Sequence, residues 1–231
     1  MSSPCWFEFE EMGAAVSALA EKIRAALVGD IAERGGALLC VPGGSTPKPL
    51  FEVLSGMELE WGSVSVLAND ERYVGHDDPA SNYRLIKNTL CREKAASAKL
   101  VSLYSAEHGT AREAEAEINR VVLGLGFPAS FMVLGMGEDG HFASLFPKAS
   151  ALGRCLSERG VVAVPDGSPD MERISLSLPL ILDSKNLALF VRGGAKKVLL
   201  EEVIANPKGS SLPIARLIEK AENRLAIFHA A

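Results

Sequence analysis

The sequence predicts an α/β sandwich built on a mostly parallel sheet. Three observations carry that class. Short apolar runs alternate along the chain with longer segments whose apolar residues recur at steps of three and four. Several of the apolar runs end in glycine-rich or polar loops. Finally, 231 residues of which 48% are hydrophobic suffice to bury a sizeable core. No internal repeat, low-complexity tract or linker interrupts the pattern, so residues 1–231 are expected to form one domain.

The elements follow in order. From Glu11 to Arg34 the residues Met12, Val16, Leu19, Ile23, Leu27 and Ile31 line one helical face, which Gly35-Gly36 ends. The run "ALLCV" (37–41) is a buried strand, closed by Pro42-Gly43-Gly44. A helix begins near Pro47, because proline suits a first turn. Next come a strand at 63–69, a helix at 81–90 and a strand at 100–104. "TAREAEAEINRVVLGL" (110–125) is strongly helical, with Ala111, Ala114, Ile118, Val121, Val122 and Leu125 in one stripe. Strands follow at 131–135, 161–164, 173–178 and 186–191, then a helix at 195–205. A short helix, "PIARLIEKA", precedes a closing strand, "LAIFH". "PDGSPD" (165–170) is the most loop-like stretch.

Composition narrows the function. The net charge is −5 and no run of Lys and Arg resembles a nucleic-acid arm, so a nucleic-acid partner is not expected; a small phosphorylated ligand needs only a few local cations. Cys5, Cys40, Cys91 and Cys155 are far apart and read as reduced thiols. The start "MSSPCWFEFEEM" lacks the pattern of an export signal, and the apolar runs are too short to span a bilayer. The expectation is a cytoplasmic chain with no membrane and no obligate protein partner.

Ligands of such folds bind at loops leaving the carboxyl ends of strands. Four segments qualify: Gly43-Gly44-Ser45-Thr46, Asn69-Asp70-Glu71-Arg72, Gly135 to His141, and Gly193-Gly194 followed by Lys196. Together they suggest one shared pocket. The third, "GMGEDGH", has the G-x-G-x-x-G spacing of a dinucleotide turn in Gly135, Gly137 and Gly140. That turn requires a long helix after the last glycine and room for a pyrophosphate. Here Pro147 follows closely, and Glu138 and Asp139 put two carboxylates where the dianion must approach. Asp166 does stand where a ribose-binding acid is sought. The balance favours a loop that does chemistry itself.

His141 is the chemical candidate. Of the four histidines (the others are His76, His108 and His229) it alone sits in a glycine-rich loop after a strand. An imidazole can take a proton from water and return it to a leaving group. Asp139 or Asp70 would fix its tautomer; the plainer alternative is a histidine bonded to backbone. Gly43 to Thr46 place backbone N–H groups and hydroxyls at a strand-to-helix junction, which suits phosphate or an oxyanion, though a plain tight turn fits as well. A phosphate-binding loop for nucleoside triphosphates is absent by spacing. Arg173 and Lys196 can pair with a phosphate, and Asp139 with His141 lacks a third ligand for a metal.

These motifs resemble one family. "VPGGSTPKPLF", "NDERYV" with "SNYRLI", "LGMGEDGHFASLFP", "ERISLSLPLIL" and "VRGGAKKVLL" are similar, in the same order, to the glucosamine-6-phosphate isomerase/6-phosphogluconolactonase family. The likeness runs from about residue 10 to the C-terminus. It implies a three-layer α/β fold of the ribose-5-phosphate-isomerase/CoA-transferase type and no cofactor. It implies hydrolysis of a small sugar-phosphate lactone, 6-phospho-D-glucono-1,5-lactone, with His141 as general base. Gly43, Gly44, Ser45 and Thr46, with Arg173 and Lys196, would hold phosphate and sugar, and Asp70, Arg72 and Gly137 would line the same pocket. Phe142 and Ser177 depart from the family, many of whose members carry Thr there, which puts fine substrate contacts in doubt.

Two rival functions remain at this point. The family's isomerase/deaminase branch would abstract a carbon-bound proton, and its segment continues toward "IAFNEP" where this one reads "FASLFP". A non-catalytic sugar-phosphate sensor would normally carry an added binding module, for which this chain has little length.

Overall fold

The computed structural model describes residues 4–167 and 171–231. The expected loop at 165–170 is therefore seen only to Gly167; residues 168–170, like 1–3, lie outside the described residues.

The chain runs β1 (Cys5–Phe9), α1 (Met12–Arg34), β2 (Ala37–Val41), α2 (Lys48–Ser55), β3 (Val64–Ala68), β4 (Asp70–Arg72) and α3 (Asn82–Thr89). It continues with β5 (Lys99–Val101), α4 (Ala111–Leu123), β6 (Phe131–Leu134), α5 (Leu152–Ser157), β7 (Val161–Val164), β8 (Arg173–Leu176) and α6 (Leu178–Leu182). β9 (Leu187–Arg192), α7 (Gly194–Ala205), α8 (Pro213–Ala221) and β10 (Leu225–Ala230) complete it. Seven strands form one sheet in the order β1-β10-β9-β6-β2-β3-β5, parallel at every pairing, and helices flank it. The α/β class with a mostly parallel sheet is as the alternation predicts.

The physics of each element is local. α1 buries Val16, Leu19, Ile23 and Leu27 completely or nearly so and stops where Gly35 takes φ 76°, a conformation that favours glycine. β2 is buried at all five positions, as a central parallel strand covered on both faces must be. α4 opens with a capping box between Thr110 and Glu113, worth about 1 kcal/mol.

Two expectations need correcting, and one feature was not foreseen. The strands expected at 161–164 and 173–178 form, the second ending at Leu176, but outside the seven-stranded sheet. β7 and β8 pair antiparallel with each other, and β8 with β4, in a separate three-stranded sheet. The polar segment 69–72, read as a loop, is largely strand β4. Its charged side chains hid this because their partners lie elsewhere in the chain. Asn69 is the pivot between the sheets: its N–H bonds to Val41 of β2, its carbonyl accepts from Leu176 of β8, and its side-chain amide donates to the Val133 carbonyl of β6. The strand expected at 100–104 stops at Val101. β1 went unread because none of the residues of this edge strand is fully buried, and α5 and α6, of six and five residues, are too short to show a period.

Glu115 ties three elements together. It accepts from Arg154 at 2.7 and 3.0 Å and from the Ala163 N–H at 2.8 Å, linking α4, α5 and β7. Burial pushes its carboxyl up, but the Arg154 and Ala163 donors more than offset that and leave it below the ordinary glutamate value. A carboxyl depressed in the folded state stabilises above its unfolded pKa and loses that contribution as pH falls through the folded one. Glu115→Gln is therefore expected to cost about 1–2 kcal/mol at neutral pH, moderated because Arg154 is partly exposed. In chemical denaturation the gap from wild type should narrow at acid pH; a pH-independent gap would contradict the ion-pair account.

Candidate active site

The loops leaving the carboxyl ends of β2, β6 and β9 meet β4 and β8 around a cavity of about 280 Å³, near the lower end of small-ligand sites. Gly43, Gly44, Ser45, Thr46, Asp70, Arg72, Gly137, His141, Arg173 and Lys196 all line it. Asp139 does not line it and stands behind His141.

The 135–141 loop is built around that histidine. Asp139 Oδ1 lies 2.5 Å from His141 Nδ1 and also accepts from the His141 N–H at 3.2 Å. In a neutral ring, Nδ1–H donates to the carboxylate and Nε2 keeps its lone pair. Burial raises the Asp139 carboxyl, yet hydrogen bonds from the His141 ring and backbone bring it below the usual aspartate value. Gly137 makes the fold of the loop possible: a Cβ there would lie 2.2 Å from the imidazole. The Gly137 N–H closes the turn on the His141 carbonyl at 2.9 Å, and Phe146 packs against the ring at 4.6 Å between centroids. The next helix after Gly140 is the six-residue α5, so the glycines do not open the long helix that a dinucleotide turn needs.

Asp70 does something else. Its Oδ2 accepts from the Ser144 hydroxyl at 2.5 Å and faces Arg173 at 3.4 Å, with Asp70 and Arg173 each 6% exposed. Of the two aspartates weighed as partners for His141, Asp139 is therefore the one in contact. Burial lowers the Arg173 guanidinium more than Asp70 raises it, and the cation also sits over the Phe146 ring at 5.2 Å. Lys196 lies in the first turn of α7 and lines the cavity. Among the described residues it forms no ion pair, whereas the neighbouring Lys197 is held by Glu8 at 2.7 Å.

Sequence reasoning missed Asn82, Ala143 and Phe190, which also line the cavity. Asn82 opens α3 after the Ser81 cap, and its side chain packs where a Cβ on Gly43 would be, 2.0 Å away. Beneath it Glu71, 1% exposed, accepts from the backbone N–H groups of Arg72, Asn82 and Tyr83 and from the Ser81 hydroxyl. Burial raises the Glu71 carboxyl in spite of those donors. Ala143 holds φ 47°, a strained value of the kind found at working sites. The two departures, Phe142 and Ser177, are fully buried and do not line the cavity. Among the described residues no group of three or more His, Cys, Asp or Glu is placed to hold a metal ion, and no helix is long and apolar enough to cross a membrane.

Comparison with known proteins gives a consistent result. The family described as glucosamine-6-phosphate isomerases/6-phosphogluconolactonase matches residues 10–227. A 6-phosphogluconolactonase of Rhizobium meliloti is 37% identical over 225 residues, 96% of this chain and 97% of the relative. One of Mesorhizobium japonicum is 35% identical, covering 97% of this chain and 94% of the relative. The crystal structure of a 6-phosphogluconolactonase from Shewanella baltica superposes with a TM-score of 0.94 at 30% identity, covering 99% of this chain and 98% of that one.

Proposed function

The chain belongs to the glucosamine-6-phosphate isomerase/6-phosphogluconolactonase family, and from that premise we propose that it hydrolyses 6-phospho-D-glucono-1,5-lactone to 6-phospho-D-gluconate, the second step of the oxidative pentose phosphate pathway. The observation that carries the reading is His141, its Nδ1 held by Asp139 at 2.5 Å, on the wall of a cavity that also holds the cations of Arg72, Arg173 and Lys196.

The mechanism follows from those groups. Water hydrogen-bonded to Nε2 of neutral His141 gives up a proton as its oxygen attacks C1 of the lactone. The tetrahedral oxyanion is stabilised by backbone N–H groups of the 43–46 segment or by a cation. The C1–O5 bond then breaks and the imidazolium returns its proton to the departing ring oxygen, while Asp139 balances the transient charge. Arg173 is already offset by Asp70, so the phosphate falls mainly to Lys196, at the positive end of α7, and to Arg72. Lys196→Ala is expected to weaken binding of 6-phosphogluconate by about 1.5–3 kcal/mol and to leave unphosphorylated gluconate nearly unaffected. Equal losses for both ligands would remove Lys196 from phosphate recognition.

The four free cysteines suit a reducing cytoplasm, where we place the enzyme. We also read residues 1–231 as one domain, because β1 and β10, from opposite ends of the chain, pair along five residues. The test is direct: lactone made in place by glucose-6-phosphate dehydrogenase should open faster when the protein is added. Ammonia release from glucosamine 6-phosphate would instead identify the isomerase/deaminase branch, and tight sugar-phosphate binding without either reaction a sensor.

A further inference from the structure

We propose that Asn82 is a positioning residue that aims Arg72 at the phosphate of the ligand, so that phosphate selectivity is set partly from the N-terminus of α3. The proposal rests on the lactonase reading for the identity of the ligand, but the geometry behind it is independent. Arg72 donates to Asn82 Oδ1 at 2.6 Å and to the Ala80 carbonyl at 3.3 Å. Both bonds use one terminal nitrogen, Nη1, and both acceptors are uncharged, so the guanidinium keeps its full positive charge and its other N–H groups for an anion. Asn82 cannot turn away from this task. Its amide nitrogen donates to the Asp70 carbonyl at 2.8 Å, which fixes which end of the side chain faces Arg72. Its backbone N–H is held by Glu71 at 2.7 Å, and its side chain is pressed against Gly43. One buried amide thus joins β4, α3 and the 43–46 loop, three walls of the cavity.

An uncharged acceptor matters here. A carboxylate at position 82 would hold Arg72 equally well but cancel its charge and repel a phosphate. An alanine would free the guanidinium to wander, and the ligand would have to order it on binding. Either change should act on binding of the phosphorylated ligand and spare the water-activating step at His141.

The test is a double-mutant cycle on the intact protein, reading dissociation constants of 6-phosphogluconate and of gluconate by calorimetry. Asn82→Ala and Asn82→Asp are each expected to weaken 6-phosphogluconate roughly 10-fold to 100-fold, the range of a hydrogen bond to a charged group, and to change gluconate little. In the background of Arg72→Ala, Asn82→Ala should add almost nothing, because the residue it positions is gone. With lactone as substrate, KM should rise and kcat stay near wild type. Additive losses, equal losses for both ligands, or a fall in kcat at constant KM would each overturn the proposal. Asn82→Asp is close to isosteric and keeps the cycle readable should the alanine variant fold poorly. Wild-type protein that binds 6-phosphogluconate but opens no lactone would refute the lactonase reading and leave the Asn82–Arg72 coupling to be judged on binding. Failure of wild type to bind 6-phosphogluconate would overturn both.

Discussion

Replacing His141 with alanine is expected to lower turnover on the lactone by roughly 10²–10⁴-fold, the contribution of a positioned general base, with product binding close to normal. The ring is oriented from one side by Asp139, packed by Phe146 and given its space by Gly137, so its removal takes away the proton acceptor and little of the cavity's polar wall. Among the described residues the carboxylate on that wall is Asp70. Asp70 is engaged by Ser144 and Arg173. A variant with near-normal kcat, measured against the uncatalysed opening rate, would move the base to Asp70 or Glu138.

The largest effect on stability is expected from Arg173→Ala. Arg173 and Asp70 face each other with side chains each 8% exposed; removing the cation leaves a buried carboxylate whose remaining side-chain partner among the described residues is the Ser144 hydroxyl. Breaking a buried pair from one side costs about 3–5 kcal/mol, which urea denaturation would read directly. Asp70→Asn in the same chain should recover part of that loss, since the stranded charge is then gone. A loss near 1 kcal/mol without recovery would mean that water, not Arg173, balances Asp70. The pair is the reason for assigning the phosphate to Lys196 and Arg72 in the proposed mechanism: the charge of Arg173 is already matched by Asp70.

How much of this was legible in the sequence depended on whether the cause was local. The core strands and long helices are written in periodicity: β2 matches its apolar run residue for residue, α1 ends at its glycine signal and α2 begins at its proline signal. The site loops were legible because polar and glycine-rich stretches follow buried strands. What stayed hidden was pairing between distant residues. Nothing near 70–72 announces that β4 will leave the parallel sheet to pair with β8, and Asn82 gains its meaning only from Gly43, Asp70 and Arg72 folded around it. The choice between Asp139 and Asp70 as the partner of His141 was likewise open until the loop geometry settled which carboxylate is in reach.

The central claim, that a neutral His141 activates water for lactone opening, is tested most directly by the pH dependence of kcat/KM on freshly generated 6-phosphogluconolactone, with EDTA present and uncatalysed opening subtracted, across about pH 5 to 8. The account predicts that kcat/KM falls on the acid side, because a protonated imidazole cannot accept the proton of water, and that EDTA changes nothing. A flat profile over that range, or loss of activity to the chelator, would contradict it.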